Sequence, residues 1–302
     1  MQTPRTRAND FVDIDRHPEN WVFRITDRDI RLLAHFCAYD GVLADYQVQA
    51  LEFSSLRRAQ DRLGKLFHNS YLSRTNQRGR ARYGNMVYWL DRRGLDEVAE
   101  AKRVDMREFT RLLIPRWGQV EHDLLVNDFT IVLQQACAQF DGFTLSEWIN
   151  EGTFRADPDT VEYRSLSGKP QKRNVIPDRY FLVERMTGAG ETIFQSRLLL
   201  ELDNATHPNL RFADEKVLAG LAYLRSPIYA LRFGENKGRF LIVTTSDRRL
   251  KYLKETTERT AKKDASVFYF TTFEQVSAAT VLEGEIWQRG GDPDRIALFP
   301  RK

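Results

Sequence analysis

Asp178, Glu201 and Asp203 are the three acidic side chains whose spacing could do chemistry. Val175 to Val183 and Ile193 to Leu202 are runs of strand formers, and Thr187-Gly188-Ala189-Gly190 between them has turn character, so 175–203 reads as a β-hairpin. Asp178 then lies near the start of the first strand, with Glu201 and Asp203 at the end of the second. Side chains two apart on a strand share a face, which points Glu201 and Asp203 together and Leu202 away. Oxygen donors converging there would hold a hard cation, Mg2+ or Mn2+. On an exposed hairpin end the same acids would serve only solubility.

The elements around this hairpin follow from apolar periodicity. A long helix is expected over 118–140, with Val120, Leu124, Phe129, Val132, Leu133 and Ala136 as its stripe. Glu121 and His122 open it, either serving the helix dipole or facing the cleft of Asp178. A strand is expected over Phe143 to Ile149, then a polar loop over 152–174 bearing Lys172 and Arg173. After Asp203 come a helix from Asn209 to Leu224, a doubly buried strand from Phe240 to Thr245, a helix from Asp247 to Thr260 and a strand from Val267 to Thr271. Lys216 lies about two turns into the first of those helices, from which it reaches back to the acids or stays on the surface. Residues 284–302 read as a tail over the surface.

The front of the chain has a different character. Residues 1–20 read as a mobile arm. Thr26 and Asp29 form a capping box that opens a helix carrying Ile30, Leu33, Ala34 and Cys37. A short helix over Val42 to Leu51 follows, then a third capped by Ser54-Ser55 with Leu56, Ala59, Leu63, Leu66 and Phe67 inward. Two strands, Tyr71 to Arg74 and Met86 to Leu90, are joined by an arginine-rich tip. Three helices and then a ribbon is the order of a winged helix-turn-helix. A further helix is expected over Asp91 to Arg103, and 104–117 as the connection to a second domain. The expected boundaries are thus 1–20, 21–104, 105–283 and 284–302.

The charge is concentrated in this front module. Between Arg57 and Arg82 stand Arg57, Arg58, Arg62, Lys65, Arg74, Arg78, Arg80 and Arg82 against Asp61 alone. That stretch is +7 within a chain of net +4, so everything else sums to −3. Cations on the third helix and the ribbon tip would grip the phosphates of double-stranded DNA, although a solvated basic face is the plainer reading.

Composition sets the limits. With 302 residues, 42% of them hydrophobic and 29% charged, the chain is long enough for two globular domains. No apolar run approaches the roughly 20 residues that span a bilayer. The only two cysteines, Cys37 and Cys137, sit in apolar helical patterns and read as buried thiols of a cytoplasmic protein rather than zinc ligands.

In its second half the order helix, three strands, helix, strand, helix, strand resembles the PD-(D/E)XK nuclease fold. Pro177-Asp178 stands for its first motif and Glu201-Leu202-Asp203 for its second. Residues 25–33 (ITDRDIRLL), 88–95 (YWLDRRGL), 122–128 (HDLLVND) and 200–207 (LELDNATH) make the whole chain similar to the replication-relaxation family of bacterial plasmid and mobile-element proteins, over 22 to about 275. The resemblance implies an α/β (α+β) protein, a winged helix followed by a mixed-sheet nuclease-like domain. As function it implies a DNA-binding accessory factor of replication or mobilisation, with replication or relaxase proteins as partners and a homodimer left open. The motif departs at Asp203, where the nuclease pattern has a lysine. The alternatives are a metal-dependent endonuclease using Asp178, Glu201 and Asp203, and a winged-helix transcription regulator.

Overall fold

A computed structural model describes residues 8–18, 23–187, 191–204 and 211–300. The hairpin turn expected at 187–190 lies outside the described residues from 188 on. So do 205–210, residues 1–7 and 19–20 of the expected arm, and 301–302. The chain is an α/β protein of two compact units, Met1–Ile131 and Val132–Lys302.

In the first unit Thr26 caps α1 (Asp27–Ala38) through the expected box: the Asp29 amide donates to the Thr26 hydroxyl, and the Thr26 amide donates to Asp29 Oδ2 at 2.8 Å. Asp40 (φ 59°) and Gly41 (φ 101°) turn the chain out of the helix. The segment expected as one short helix divides into β1 (Val42–Ala44) and α2 (Asp45–Glu52), because the Ala44 amide is held by the Gln47 side chain at 3.0 Å. Ser55 caps α3 (Leu56–His68), whose Ala59, Leu63, Leu66 and Phe67 are buried; Leu56, expected inward, is 41% exposed at the helix start. β2 (Leu72–Arg74) follows. The expected open ribbon tip is instead a helix, α4 (Gln77–Tyr83), capped by Asn76. β3 (Val87–Leu90) completes an antiparallel sheet of order β1-β3-β2, and α5 (Arg92–Lys102) starts at Asp91. The core joins Leu33, Phe36, Leu43, Leu63, Leu72 and Leu95, each fully buried leucine contributing about 2 kcal/mol.

Two sequence expectations change here. Residues 8–18 are docked rather than mobile. Asn76 donates its amide to Phe11 O at 2.7 Å, Arg74 pairs with Asp13, and Arg16 donates to Phe67 O and Leu72 O and pairs with Asp91. The boundary lies between Ile131 and Val132, inside α6 (Val120–Gln139), and not at 104. The first turns of α6 are fastened to the first unit: Gln47 donates to Leu124 O and Asp128, Tyr46 to Asp128, and Asn127 to Val42 O.

The second unit is built on a seven-stranded mixed sheet. β4 (Phe143–Asn150) leads into α7 (Glu151–Ala156). The expected loop contains a separate hairpin, β5 (Asp159–Arg164) and β6 (Pro170–Val175), turning at Gly168 (φ 78°). β7 (Arg179–Met186) pairs antiparallel with both β4 and β8 (Thr192–Asp203). A π-helical segment, Phe212–Leu218, runs on into α8 (Ala219–Leu224), and α9 (Pro227–Phe233) follows. β9 (Arg239–Thr244) then lies parallel to β8. α10 (Asp247–Ala261) connects it to β10 (Phe268–Thr272), parallel to β9. The expected surface tail supplies β11 (Trp287–Arg289) and β12 (Arg295–Ile296), with Trp287, Leu298 and Phe299 buried. On one sheet face Tyr180, Leu199, Phe240, Ile242, Phe268 and Phe270 meet the helices through Val217, Tyr223, Phe233 and Leu253.

Candidate functional site

Strand register brings Asp178 and Glu201 together. Arg179 is paired with Leu200 in the antiparallel β7–β8 ladder, so the next position outward sets Asp178 opposite Glu201, and such pairs have neighbouring side chains. The Asp178 amide donates to Leu200 O at 3.0 Å, and Asp178 Oδ2 accepts the Leu202 amide at 2.6 Å. Both carboxylates are buried. Lys216, projecting from the π-helical segment, forms an ion pair with Glu201. Burial works against its ammonium, but Glu201 and then Asp178 hold its pKa above that of an ordinary lysine. Arg173 of the β5–β6 hairpin pairs with Glu215 at 2.7 Å, while Lys172 lies 3.7 Å from Glu162 on the surface.

Asp203 does not join them. It shares the strand face of Glu201, but α10 packs over it: Arg249 donates from Nε (2.7 Å) and Nη2 (2.9 Å) to its two oxygens, and Thr244 donates from its hydroxyl at 3.0 Å. The Asp203 hydrogen bonds, against the cost of burial, raise the Arg249 pKa. Among the described residues no three His, Cys, Asp or Glu side chains form a group that could hold a metal. The donor set therefore does not fit the expected three-acid Mg2+ or Mn2+ site. One acid faces an arginine, one faces a lysine, and the third accepts a backbone amide. Sequence reading missed Arg249, whose only signal was a place in the first turn of the helix after β9.

In the first unit the eight basic residues divide into two groups. Arg62 is sequestered: its guanidinium holds both oxygens of the fully buried Asp29 and lies over the Phe23 ring at 4.7 Å. Arg74 pairs with Asp13 at 2.8 Å and lies over Phe67 at 4.0 Å. Neither is presented as an open cation. Arg57, Arg58 and Lys65 on α3 and Arg78, Arg80 and Arg82 on α4 are exposed. Arg28, Arg58, Arg62 and Lys65 line a hollow of about 370 Å3 with Phe53 and Asp61. Glu121, 63% exposed, stands 3.8 Å from Arg82 at the start of α6 in this first unit.

A small helix-rich unit with exposed arginines and a mixed-sheet unit with a buried carboxylate–lysine cluster define a two-unit α/β protein. The chain belongs to the replication-relaxation family: the model of the family described as Replication-relaxation matches residues 35–220, well over half its length. That membership associates it with replication and mobilisation. No curated protein and no solved structure matches the chain. Among the described residues no helix is long and apolar enough to cross a membrane.

Proposed function

We propose that the chain is a DNA-binding accessory protein of plasmid or mobile-element replication and mobilisation, gripping duplex DNA through a winged helix. Its second unit is then a nuclease-like scaffold whose metal set is degenerate. The observation that carries this is the exposure of Arg57, Arg58 and Lys65 on α3 and Arg78, Arg80 and Arg82 on α4, while the other two arginines of the basic stretch are tied up internally. The succession α1, β1, α2, α3, β2, β3 with sheet order β1-β3-β2 supports a winged helix in which α3 is the groove-facing helix and α4 occupies the wing. In the second unit the antiparallel run β4-β7-β8, a helical crossover and β9 parallel to β8 support the nuclease-like reading. Asp178, Glu201 and Lys216 occupy the place of its active site.

Duplex affinity measured over a salt series tests this reading. Each phosphate-gripping cation contributes close to one unit of slope in log K against log salt. Replacing Arg78, Arg80 and Arg82 together by alanine lowers the slope by about 2 to 3. An unchanged slope and affinity would remove α4 from the interface. Supercoiled plasmid with Mg2+ or Mn2+ is the companion assay: it stays intact under the accessory reading. Nicking that disappears in Asp178→Ala would replace that reading with the endonuclease one.

A further inference from the structure

A glycine weakens a helix interior because it has the most backbone freedom to lose, so each one there calls for a reason. Three helical glycines have one in packing. A Cβ on Gly79 would stand 2.7 Å from Thr75 Cβ, on Gly94 2.1 Å from Tyr71 O, and on Gly220 2.8 Å from the Phe240 ring. Gly64, in the third turn of α3, has none among the described residues: outside the adjoining backbone of its own helix, a Cβ there would meet no described atom within 4 Å, and its φ is not left-handed. The helix is weakened at this position without a packing gain from any described residue.

Residues three and four apart share a helix face, which sets Gly64 between half-buried Gln60 and buried Phe67 on its inner side and a stripe of Arg57, Asp61 and His68 on its outer side. Arg57 and Asp61 are exposed, as are Arg58 and Lys65 on the neighbouring stripe. The His68 ring closes the far end by accepting the His17 amide at 3.0 Å. The result is a half-buried stretch of helix backbone, without a side chain at Gly64, beside three exposed cations and a single acid.

Resting on the duplex-binding reading above, the geometry points to Gly64 as a close-approach point, where the sugar–phosphate wall of a DNA groove lies directly on the α3 backbone between Arg57 and Lys65. The charge of the frame selects a polyanion, and the missing side chain lets it come nearer than any other residue would allow.

The test uses the full chain, a short fluorescein-labelled duplex of mixed sequence, anisotropy over a salt series, and thermal unfolding of Gly64→Ala and Gly64→Leu. Gly64→Ala is expected to raise Tm by about 3 °C, since alanine favours the helix by about 1 kcal/mol. Duplex affinity is expected to fall about tenfold, and further in Gly64→Leu. The salt slope stays at the wild-type value because no cation is lost, whereas Arg57→Ala lowers it by about 1. Wild-type affinity in both Gly64 variants, with salt-dependent binding intact, overturns the close approach and leaves the duplex-binding reading standing. A fall in Tm also overturns it, because the position would then have a packing reason. A wild-type chain that does not bind the duplex at all overturns both.

Discussion

Replacing Arg62 by alanine distinguishes an arginine that holds the fold from one that grips DNA. The Asp29 carboxylate has no solvent exposure and takes four donors: the Thr26 amide at 2.8 Å, the Thr26 hydroxyl at 2.6 Å, Arg62 Nε at 2.6 Å and Arg62 Nη2. The substitution removes two of these, together with the guanidinium over Phe23. Stripping one partner from a buried ion pair costs ~3–5 kcal/mol. The remaining Thr26 donors solvate part of the anion, so a loss near the lower end, about 3 kcal/mol, is expected, or about 10 °C in Tm for a unit of this size. Burial pushes the Asp29 pKa up, but the hydrogen bonds from Arg62 and Thr26 outweigh it and hold the group below the ordinary carboxylate value of 3.8. A depressed pKa adds stability that is fully present above the ordinary value and is lost as pH falls through the folded one. The gap between wild type and variant is therefore widest at neutral pH and narrows in acid. Urea unfolding at neutral and acid pH measures that gap, and anisotropy on the folded variant measures duplex affinity. A loss under about 1 kcal/mol with a large drop in affinity would refute the reasoning and make Arg62 a phosphate ligand.

A half-buried ion pair and a buried carboxylate give further predictions. Asp203→Ala leaves the Arg249 side chain, only 14% exposed, without its forked partner and is expected to destabilise the second unit by about 2–3 kcal/mol. Calorimetry would register this loss while duplex affinity stays unchanged, and adding Arg249→Met would recover most of it. Burial, partly offset by Arg116, pushes the Asp123 pKa up to about 6. A raised carboxylate pKa favours the protonated form in the folded state, so this group's contribution falls as pH rises from about 4 through about 6. Asp123→Asn is expected to raise Tm at neutral pH and to have little effect near pH 4. A variant less stable than wild type at neutral pH would show that the charged Asp123–Arg116 pair is worth more than its burial costs.

How much could be read in advance depended on whether a feature is local. The Thr26–Asp29 box, the α3 stripe of Ala59, Leu63, Leu66 and Phe67, and the strands at 143–150, 179–186 and 239–244 are written in spacings of two to four residues, and the structure has them. The placing of Asp178 near Glu201 needed only the hairpin and its register. What depended on packing between distant elements was hidden. Arg62 and Lys65 look alike on a helical wheel, yet one of them meets Asp29 from α1. Asp203 parts from Glu201 because a helix starting at Asp247 brings Arg249 over it. The polar residues of β5 and β6 concealed a hairpin, since its outer face is exposed and the alternation is weak. The glycines and prolines after 284 outweighed the signal of Trp287, Leu298 and Phe299, which are buried.

Strand β8 has a consequence for synthesis of the chain. Its hairpin partner β7 precedes it closely, so that edge is covered as soon as both have left the ribosome. The opposite edge pairs only with Arg239–Thr244, and Leu198-Leu199-Leu200 run along it. Until β9 has been made, a nascent fragment ending near residue 235 presents an unpaired greasy strand, a ready template for pairing with a second unfinished chain. Truncations within 204–238 should therefore accumulate as aggregates, whereas those ending beyond β10 carry the strands that close this edge.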